Sequence, residues 1–359
     1  MTISVIVNNN VDVTPFVESI SISGDTTKFN RSLSVKMIGT EDGRNRAFLI
    51  DEGDSIVFKY ENKIRFIGVV FAQSISSEGD FSITAYDSNI YLSKSTDTRI
   101  FKNKKASEII RILATDFGIP IGNIADTGYV IPYLRLSNLT LYDMVLKALT
   151  LTRKQTNKRF FIGNVNGKLT LTAGTSNTKY LFKDGENLLS ASYSRSIEDT
   201  RTQAKVVGGP KGKETVVVVK DDAKRSKYGV LQAFEEMDEK ATPSQVKQRA
   251  QALLKEQAVV SEQLNVDVLG VPEVDVGTPV YIVNKMTATN GAYYVTSITH
   301  TYSAGLHEMS LELTRTYELP DIQINDDELK PETPKVTTAK KKSTTKKKTT
   351  TTTKEATKK

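Results

Sequence analysis

The stretch DEGDSIVF, residues 51–58, returns more than two hundred residues later as DVGTPVYI, residues 275–282. Each is an acidic turn with a glycine that runs into an alternating apolar strand. Asp51 matches Asp275, Gly53 matches Gly277, and the pairs Ile56/Val280 and Phe58/Ile282 follow in phase. Glycine at that place permits the positive φ of a tight turn. Pro279 replaces Ser55 at a strand start, where a missing N–H is tolerated. The likeness then continues in order. Phe66-Ile67 aligns with Tyr293-Tyr294, and FSITA (81–85) aligns with MSLEL (309–313). The offsets are 224, 227 and 228. Any two β domains share alternation and turn glycines, but those do not fix order and spacing. The pattern predicts two related β units in one chain, with the remaining residues as inserts.

The rest of the sequence sorts around that frame. Residues 1–94 alternate in short strands between Gly and Asp turns, as a small antiparallel barrel or sandwich would. Leu33, Val35 and Met37 form one buried row, and Phe81, Ile83 and Ala85 another. Residues 95–187 change character. KASEIIRILATDFGIP (105–120) places Ile109, Ile110, Leu113 and Phe117 at helical spacing, with Gly118 and Pro120 as the stop. Thr140 and Asp143 begin a second helix as a capping-box variant. Asn166-Gly167 in RFFIGNVNGKLTL suits a type I′ hairpin turn. This predicts a compact α/β insert. Strands return over 188–214. A strand-helix insert, 215–263, contains a helix that starts with Thr242 as N-cap, Pro243 at N1 and Gln245 completing a capping box. Residues 264–319 complete the second unit. The fold class is therefore mainly β with α/β inserts, with two tube-like antiparallel β barrels, the second discontinuous. Residues 320–359 read as a disordered polar linker and a Lys/Thr-rich tail.

Charge separates the tail from the body. The chain has 359 residues and a net charge of +7. KVTTAKKKSTTKKKTTTTTKEATKK (335–359) holds ten lysines and one glutamate, which leaves residues 1–334 at −2. Such a tail cannot build a core. It can attract nucleic acid or an acidic partner through counterion release, although it has no aromatic residue to stack on bases. No apolar run approaches the roughly 20 residues that span a bilayer, and the start lacks a secretory signal pattern. Membrane insertion is not expected.

Catalytic signals are sparse. The chain has no cysteine, which excludes disulfides, thiolate metal sites and a cysteine nucleophile. His300 and His307 flank a Gly305 turn and could face one another, with Glu308 beside them, but no third convincing ligand lies nearby in sequence. No G-x-S-x-G elbow accompanies them. GGPKGKE (208–214) fails the P-loop spacing and reads as a flexible connection. No catalytic, cofactor-binding or metal-binding residue is assigned, and the expected answer is that the chain is not an enzyme.

Several segments carry a family resemblance. SKYGVLQAFEEMDEKATPSQVKQRAQALLKEQ (226–257), VLGVPEVDVGTPVYIVN (268–284) and GAYYVTSITHTYSAGLHEMSLEL (291–313) resemble the baseplate or tail hub proteins of PBSX-type prophages and contractile phage tails, the XkdQ/YqbQ-like family. ASEIIRILATDFGI and LTLYDMVLKAL resemble helices of the same family's second domain. The resemblance covers about residues 1–320 and leaves the Lys/Thr tail outside it. It implies a virion structural protein of the tail baseplate, assembled in the bacterial host cytoplasm. It also implies a homotrimer whose six barrels surround one axis, adapting a sixfold tail tube to a threefold spike. The implied partners are the tail tube protein, the central spike protein, other baseplate proteins, a tape measure protein as a further candidate, and genomic DNA passing through the channel. Two other readings stand beside it: a peptidoglycan-degrading tail enzyme, and nucleic-acid binding through residues 335–359.

Overall fold

The computed structural model describes residues 2–316, 320 and 322–331. The Lys/Thr-rich tail lies outside them. Thirteen strands form one continuous sheet, and its order shows two halves. In the N-terminal half, Val17–Asp25 pairs with Lys28–Ile38, which pairs with Asp80–Tyr86, then Lys63–Ile75, then Ser55–Tyr60. In the C-terminal half, Leu188–Ser196 pairs with Ser261–Leu269, then Leu306–Thr314, then Thr289–Ser303, then Pro279–Asn284. Every one of these pairings is antiparallel. Five strands thus follow one another in the same order in both halves.

Alternation decides which residues face each core. Leu33, Val35, Met37, Phe81, Ile83 and Ala85 are buried in the N-terminal half, as the sequence predicts. Leu264, Val266, Val268, Met309, Leu311 and Leu313 occupy the matching registers in the C-terminal half. Each half buries one row of side chains against another from its own sheet, so each sheet wraps around its own core. Among the described residues the hydrogen bonds do not close either half into a ring. Instead the two halves share one sheet.

The repeated acidic turns are superimposable in their bonding. Gly53 N donates to Val70 O at 2.9 Å, and Gly277 N donates to Val295 O at 2.8 Å. Val70 N returns to Asp54 O, and Val295 N returns to Thr278 O. Both glycines have positive φ, +97° and +82°. Their surroundings differ. A Cβ on Gly53 would meet nothing within 4 Å, whereas one on Gly277 would lie 2.5 Å from the Phe161 ring of the α/β insert. Gly53→Ala is expected to cost about 1 kcal/mol from backbone strain alone. Gly277→Ala adds overpacking and should cost roughly 2–4 kcal/mol in total. Urea unfolding of both variants checks this, and equal losses would contradict the packing difference.

One part of the repeat falls elsewhere than the sequence places it. Phe58 pairs with Phe66 and Ile56 with Gly68, while Ile282 pairs with Gly291 and Val280 with Tyr293. Tyr293 is therefore the counterpart of Gly68, at an offset of 225 rather than 227. The two halves exchange large for small: Phe66 and Gly68 in one, Gly291 and Tyr293 in the other. A Cβ on Gly68 would lie 2.6 Å from the Phe66 ring, so that ring already fills the space over the glycine. Aligning aromatic on aromatic hid the swap.

The segment after the first half has its own core. Helices Ala106–Asp116 and Leu141–Thr156 pack with strands Thr96–Lys105, Ile121–Ile124, Val130–Thr140, Phe160–Val165 and Lys168–Ala173. The caps follow the sequence reading. Thr140 Oγ1 accepts from Asp143 N at 3.0 Å, and Asn166-Gly167 turns the hairpin with φ of +51° and +75°.

Strand pairing shifts the edges of the expected segments. Tyr180–Lys183 pairs in parallel with Pro279–Asn284 and buries Phe182 in the C-terminal core, so it leaves the 95–187 segment. Gln203–Gly208, expected within the second β unit, pairs with Thr215–Lys220 and Gln232–Glu236. Its Ala204 and Val206 pack under the helix Pro243–Gln257 in a separate small core. That helix has the predicted Thr242/Gln245 capping box. Within the segment read as a disordered linker, Ile322, Ile324 and Leu329 lie against the α/β insert, and Glu328 reaches the buried Lys147.

Candidate functional site: the seam between the halves

The strand Thr289–Ser303 serves both halves. It pairs with Leu306–Thr314 on one side, and from Ser297 to Ser303 it pairs with Asp25 to Ser19 on the other. The sequence SISISGD (19–25) explains the fit. Ile20 and Ile22 point into the N-terminal core, while the serines meet the partner strand on the opposite face. Ser23 Oγ and Thr299 Oγ1 share a hydrogen bond of 2.9 Å across the seam. Thr26 N donates to Thr296 O at 2.9 Å, which extends the ladder by one residue.

Tyr302 locks the seam. It comes from the C-terminal half but is buried among N-terminal core residues. Its ring lies 5.0 Å from Phe58 and stacks on His307 at 4.1 Å. His307 in turn lies directly over Gly270, where a Cβ would be 2.1 Å from the imidazole. Gly270 is small because the ring needs that space.

The two histidines do face one another, as the hairpin reading expected. His300 Nε2 lies 3.0 Å from Val274 O and therefore carries the proton. Its Nδ1 then accepts from His307 Nε2–H at 3.0 Å. The carbonyl of Val274 thus fixes both tautomers. Burial, followed by the Arg31 charge, lowers His300 to about 4 against the opposing Asp275. Burial and Arg65 lower His307 to about 4 against Glu273. Glu308 is exposed and pairs with Thr301, on the face opposite His307. Among the described residues no three His, Cys, Asp or Glu side chains come together to hold a metal ion.

Charged side chains tie the seam from outside. Arg65 Nη2 meets Glu273 Oε1 at 3.0 Å, and Arg31 Nη1 lies 3.7 Å from Asp275 Oδ2. Asp87 is buried beside them. It accepts from Arg31 N and Asn89 N, both at 3.0 Å, yet burial pushes its carboxyl up to about 7. A crevice of about 390 Å³ opens where both halves meet the α/β insert, between residues 24–31, the hairpin around Asn164 and the turn at Asp275–Gly277. Its side chains hold chain segments together. Asn164 Nδ2, for example, donates to Ser88 Oγ at 3.1 Å.

These buried groups make stability depend on pH in opposite senses. Where the unfolded chain protonates its histidines, below 6.5, the folded rings stay neutral until about 4. Their contribution is complete above 6.5 and is lost as pH falls toward 4. Asp87 keeps its proton in the folded chain between 3.8 and about 7, so its contribution is complete below 3.8 and is lost as pH rises through 7. Asp87→Asn removes the opposing group. Its unfolding free energy is expected to rise more steeply from pH 4 to 6.5 than that of the parent, by up to about 1.4 kcal/mol per pH unit. Parallel curves would contradict this.

The geometry defines a mainly β protein whose two halves are joined through a shared strand, a buried Tyr302–His307 stack and the Arg31 and Arg65 ion pairs. The sequence profile of the YqbQ-like family matches residues 20–314, and the chain belongs to that family. It is 34% identical over 307 residues to the phage-like element PBSX protein XkdQ of Bacillus subtilis strain 168, covering 85% of this chain and 94% of that protein. It is 33% identical over the same length and shares to the uncharacterized protein YqbQ of that strain. Its fold is similar to the 43 kDa tail protein of prophage MuSo2 from Shewanella oneidensis, with a TM-score of 0.67 at 15% identity, covering 87% of this chain and 98% of that one. A tail protein from Neisseria meningitidis MC58 gives 0.62 at 14% identity, covering 87% and 96%.

The seam itself was missed at the level of the sequence. Its one readable signal is the alternation of serine with apolar residues in SISISGD, which marks a strand with one apolar face but does not name the strand it pairs with.

Proposed function

We propose that this chain is a structural tail hub of a contractile phage tail or phage-tail-like particle. In this reading three copies form a ring that adapts a sixfold tail tube to a threefold spike and forms part of the central channel. The single observation that carries it is the repeated strand order, with both halves joined through one seam. Two copies of one β unit in each chain supply six equivalent positions from a threefold assembly, so one face can meet sixfold symmetry while the other meets threefold. Membership of the YqbQ-like family and the likeness to phage tail proteins support the same reading.

The partners follow from the role: a tail tube protein on one face, a spike protein on the other, and neighbouring baseplate proteins around the inserts. The place of action is the tail baseplate of the particle. The reading assigns no catalytic step to this chain. Native mass spectrometry of the full chain mixed with the particle's tube and spike proteins tests it. The expected complex contains three copies of this chain. A chain that stays monomeric with both partners present would overturn the reading.

A further inference from the structure

The seam inside one chain uses one edge from each half, and the equivalent edges of the other halves are free. Val17–Asp25 is the outer strand of the N-terminal half, and its counterpart is Leu188–Ser196. The registers Ile22↔Leu33 and Tyr193↔Leu264, with Leu33 and Leu264 equivalent, place Ile22 opposite Tyr193 in the comparison. SISISGD (19–25) thereby overlays SASYSRS (190–196), with serines at 19, 21 and 23 meeting serines at 190, 192 and 194. The other seam strand is Thr289–Ser303, and its counterpart is Lys63–Ile75. Both carry the same irregularity, after Val70 and after Val295, and Val70↔Ala85 matches Val295↔Leu313. Ala72 therefore corresponds to Ser297, Ser74 to Thr299 and Ile75 to His300.

Over residues 190–196 and 72–75 neither counterpart edge is paired among the described residues. Apart from a single bridge between Leu188 and Asp184, Leu188–Ser196 bonds only to Ser261–Leu269, and residues 72–75 bond only to Asp80–Tyr86. Exposure shows what each edge lacks. His300 is 2% exposed in the seam, while Ile75 in the same place is 38% exposed. Leu189 and Ile197, at the two ends of the free strand, are 51% and 38% exposed. A nine-residue edge with no proline and one charged residue, Arg195, lacks the usual protection against pairing.

We propose that the free strand Leu188–Ser196 of one copy pairs antiparallel with residues 71–75 of a second copy, repeating the internal seam. The register is Ala72↔Ser196, Gln73↔Arg195, Ser74↔Ser194 and Ile75↔Tyr193. This rests on the ring reading above and names its contact surface. Charge supports the fit. In the internal seam a Cβ on Gly24 would meet Val276 at 3.2 Å and the carboxylate of Asp275 at 3.7 Å. Between copies, Arg195 takes the place of Gly24, and the equivalent turn offers Asp51 and Glu52. A cation thus meets an acidic turn where the internal seam has a glycine. The contact is head-to-tail, which builds a ring where the rotation closes, as the threefold reading requires.

The absence of cysteine makes the test clean. Ser74→Cys with Ser194→Cys, in one full-length chain, takes the places of Thr299 and Ser23, whose side-chain oxygens are 2.9 Å apart. Oxidation is expected to give disulfide-linked dimers and trimers on non-reducing gels, and reductant should collapse them. Ser23→Cys with Thr299→Cys should link within one chain and serves as the positive control for oxidation and folding. Ser74→Cys with Ser190→Cys, four residues out of register, should not link. Analytical ultracentrifugation of the parent chain separates the two claims. A parent trimer whose Ser74→Cys/Ser194→Cys variant stays unlinked, while the internal control links, overturns the edge proposal and leaves the trimer standing. A parent monomer with no link between copies overturns both. Preferential linkage of the off-register pair overturns the register.

Discussion

Tyr302→Ala is expected to remove about 3–5 kcal/mol of unfolding free energy, the usual cost of truncating a buried aromatic. The ring is 2% exposed and stands in the core of the opposite half. Its loss leaves Phe58 and Tyr60 without the ring that lies 5.0 and 5.1 Å from them, and it takes the stacking partner from His307. The damage should be specific to the seam. Hydrogen exchange of residues 19–25 and 297–303 is expected to accelerate more than that of the α/β insert, whose core Tyr302 does not touch. Tyr302→Phe keeps the packing and should cost under about 1.5 kcal/mol. Equal losses for the alanine and phenylalanine variants would contradict the packing account.

Glu328→Ala is expected to cost about 3–5 kcal/mol, because it strands a buried ammonium. Lys147 projects from the helix Leu141–Thr156 with a side chain only 7% exposed, and its Nζ meets the Glu328 carboxylate at 2.6 and 2.8 Å. Ile322, Ile324 and Leu329 add apolar contact around the pair. Removing both charges should restore most of the loss, since a buried ion pair seldom outperforms an apolar one of similar volume. The double variant Lys147→Met/Glu328→Leu is therefore expected within about 1 kcal/mol of the parent. Urea unfolding of the single and double variants reads the difference. A single variant as stable as the parent would mean that residues 322–331 do not hold to the insert in solution.

Local patterns in the sequence reached much of this structure. The alternation in FSITAYD and MSLEL places every buried residue of those strands on the correct face. The Thr140 and Thr242 caps and the Asn166-Gly167 turn are local chemistry and are where the sequence puts them. Long-range pairing was harder to read. Tyr180–Lys183 is four residues long, and its partner lies about one hundred residues ahead, so nothing nearby marks it as part of the C-terminal sheet. Gln203–Gly208 follows a strand of the larger sheet and looks like its continuation, but its small Ala204 suits the underside of a helix. Residues 320–331 have few apolar side chains, and the spacing of Ile322 and Ile324 is too short a pattern to announce docking. The seam depends on which edges meet, and edge choice is a property of the whole sheet. The sequence does carry its chemistry, in the serine-rich strand 19–25 and in Gly24 and Gly270, but only the pairing explains them.

The proposed ring is tested most directly by a cryo-EM map of the tail end of the particle that contains this chain. The account predicts three copies between tube and spike, with the two halves of each chain occupying six equivalent positions around the axis. At each junction between copies, Leu188–Ser196 should lie antiparallel to residues 71–75, with Ser194 opposite Ser74. Six copies with one half of each at the tube, or a chain placed away from the tail axis, would contradict it.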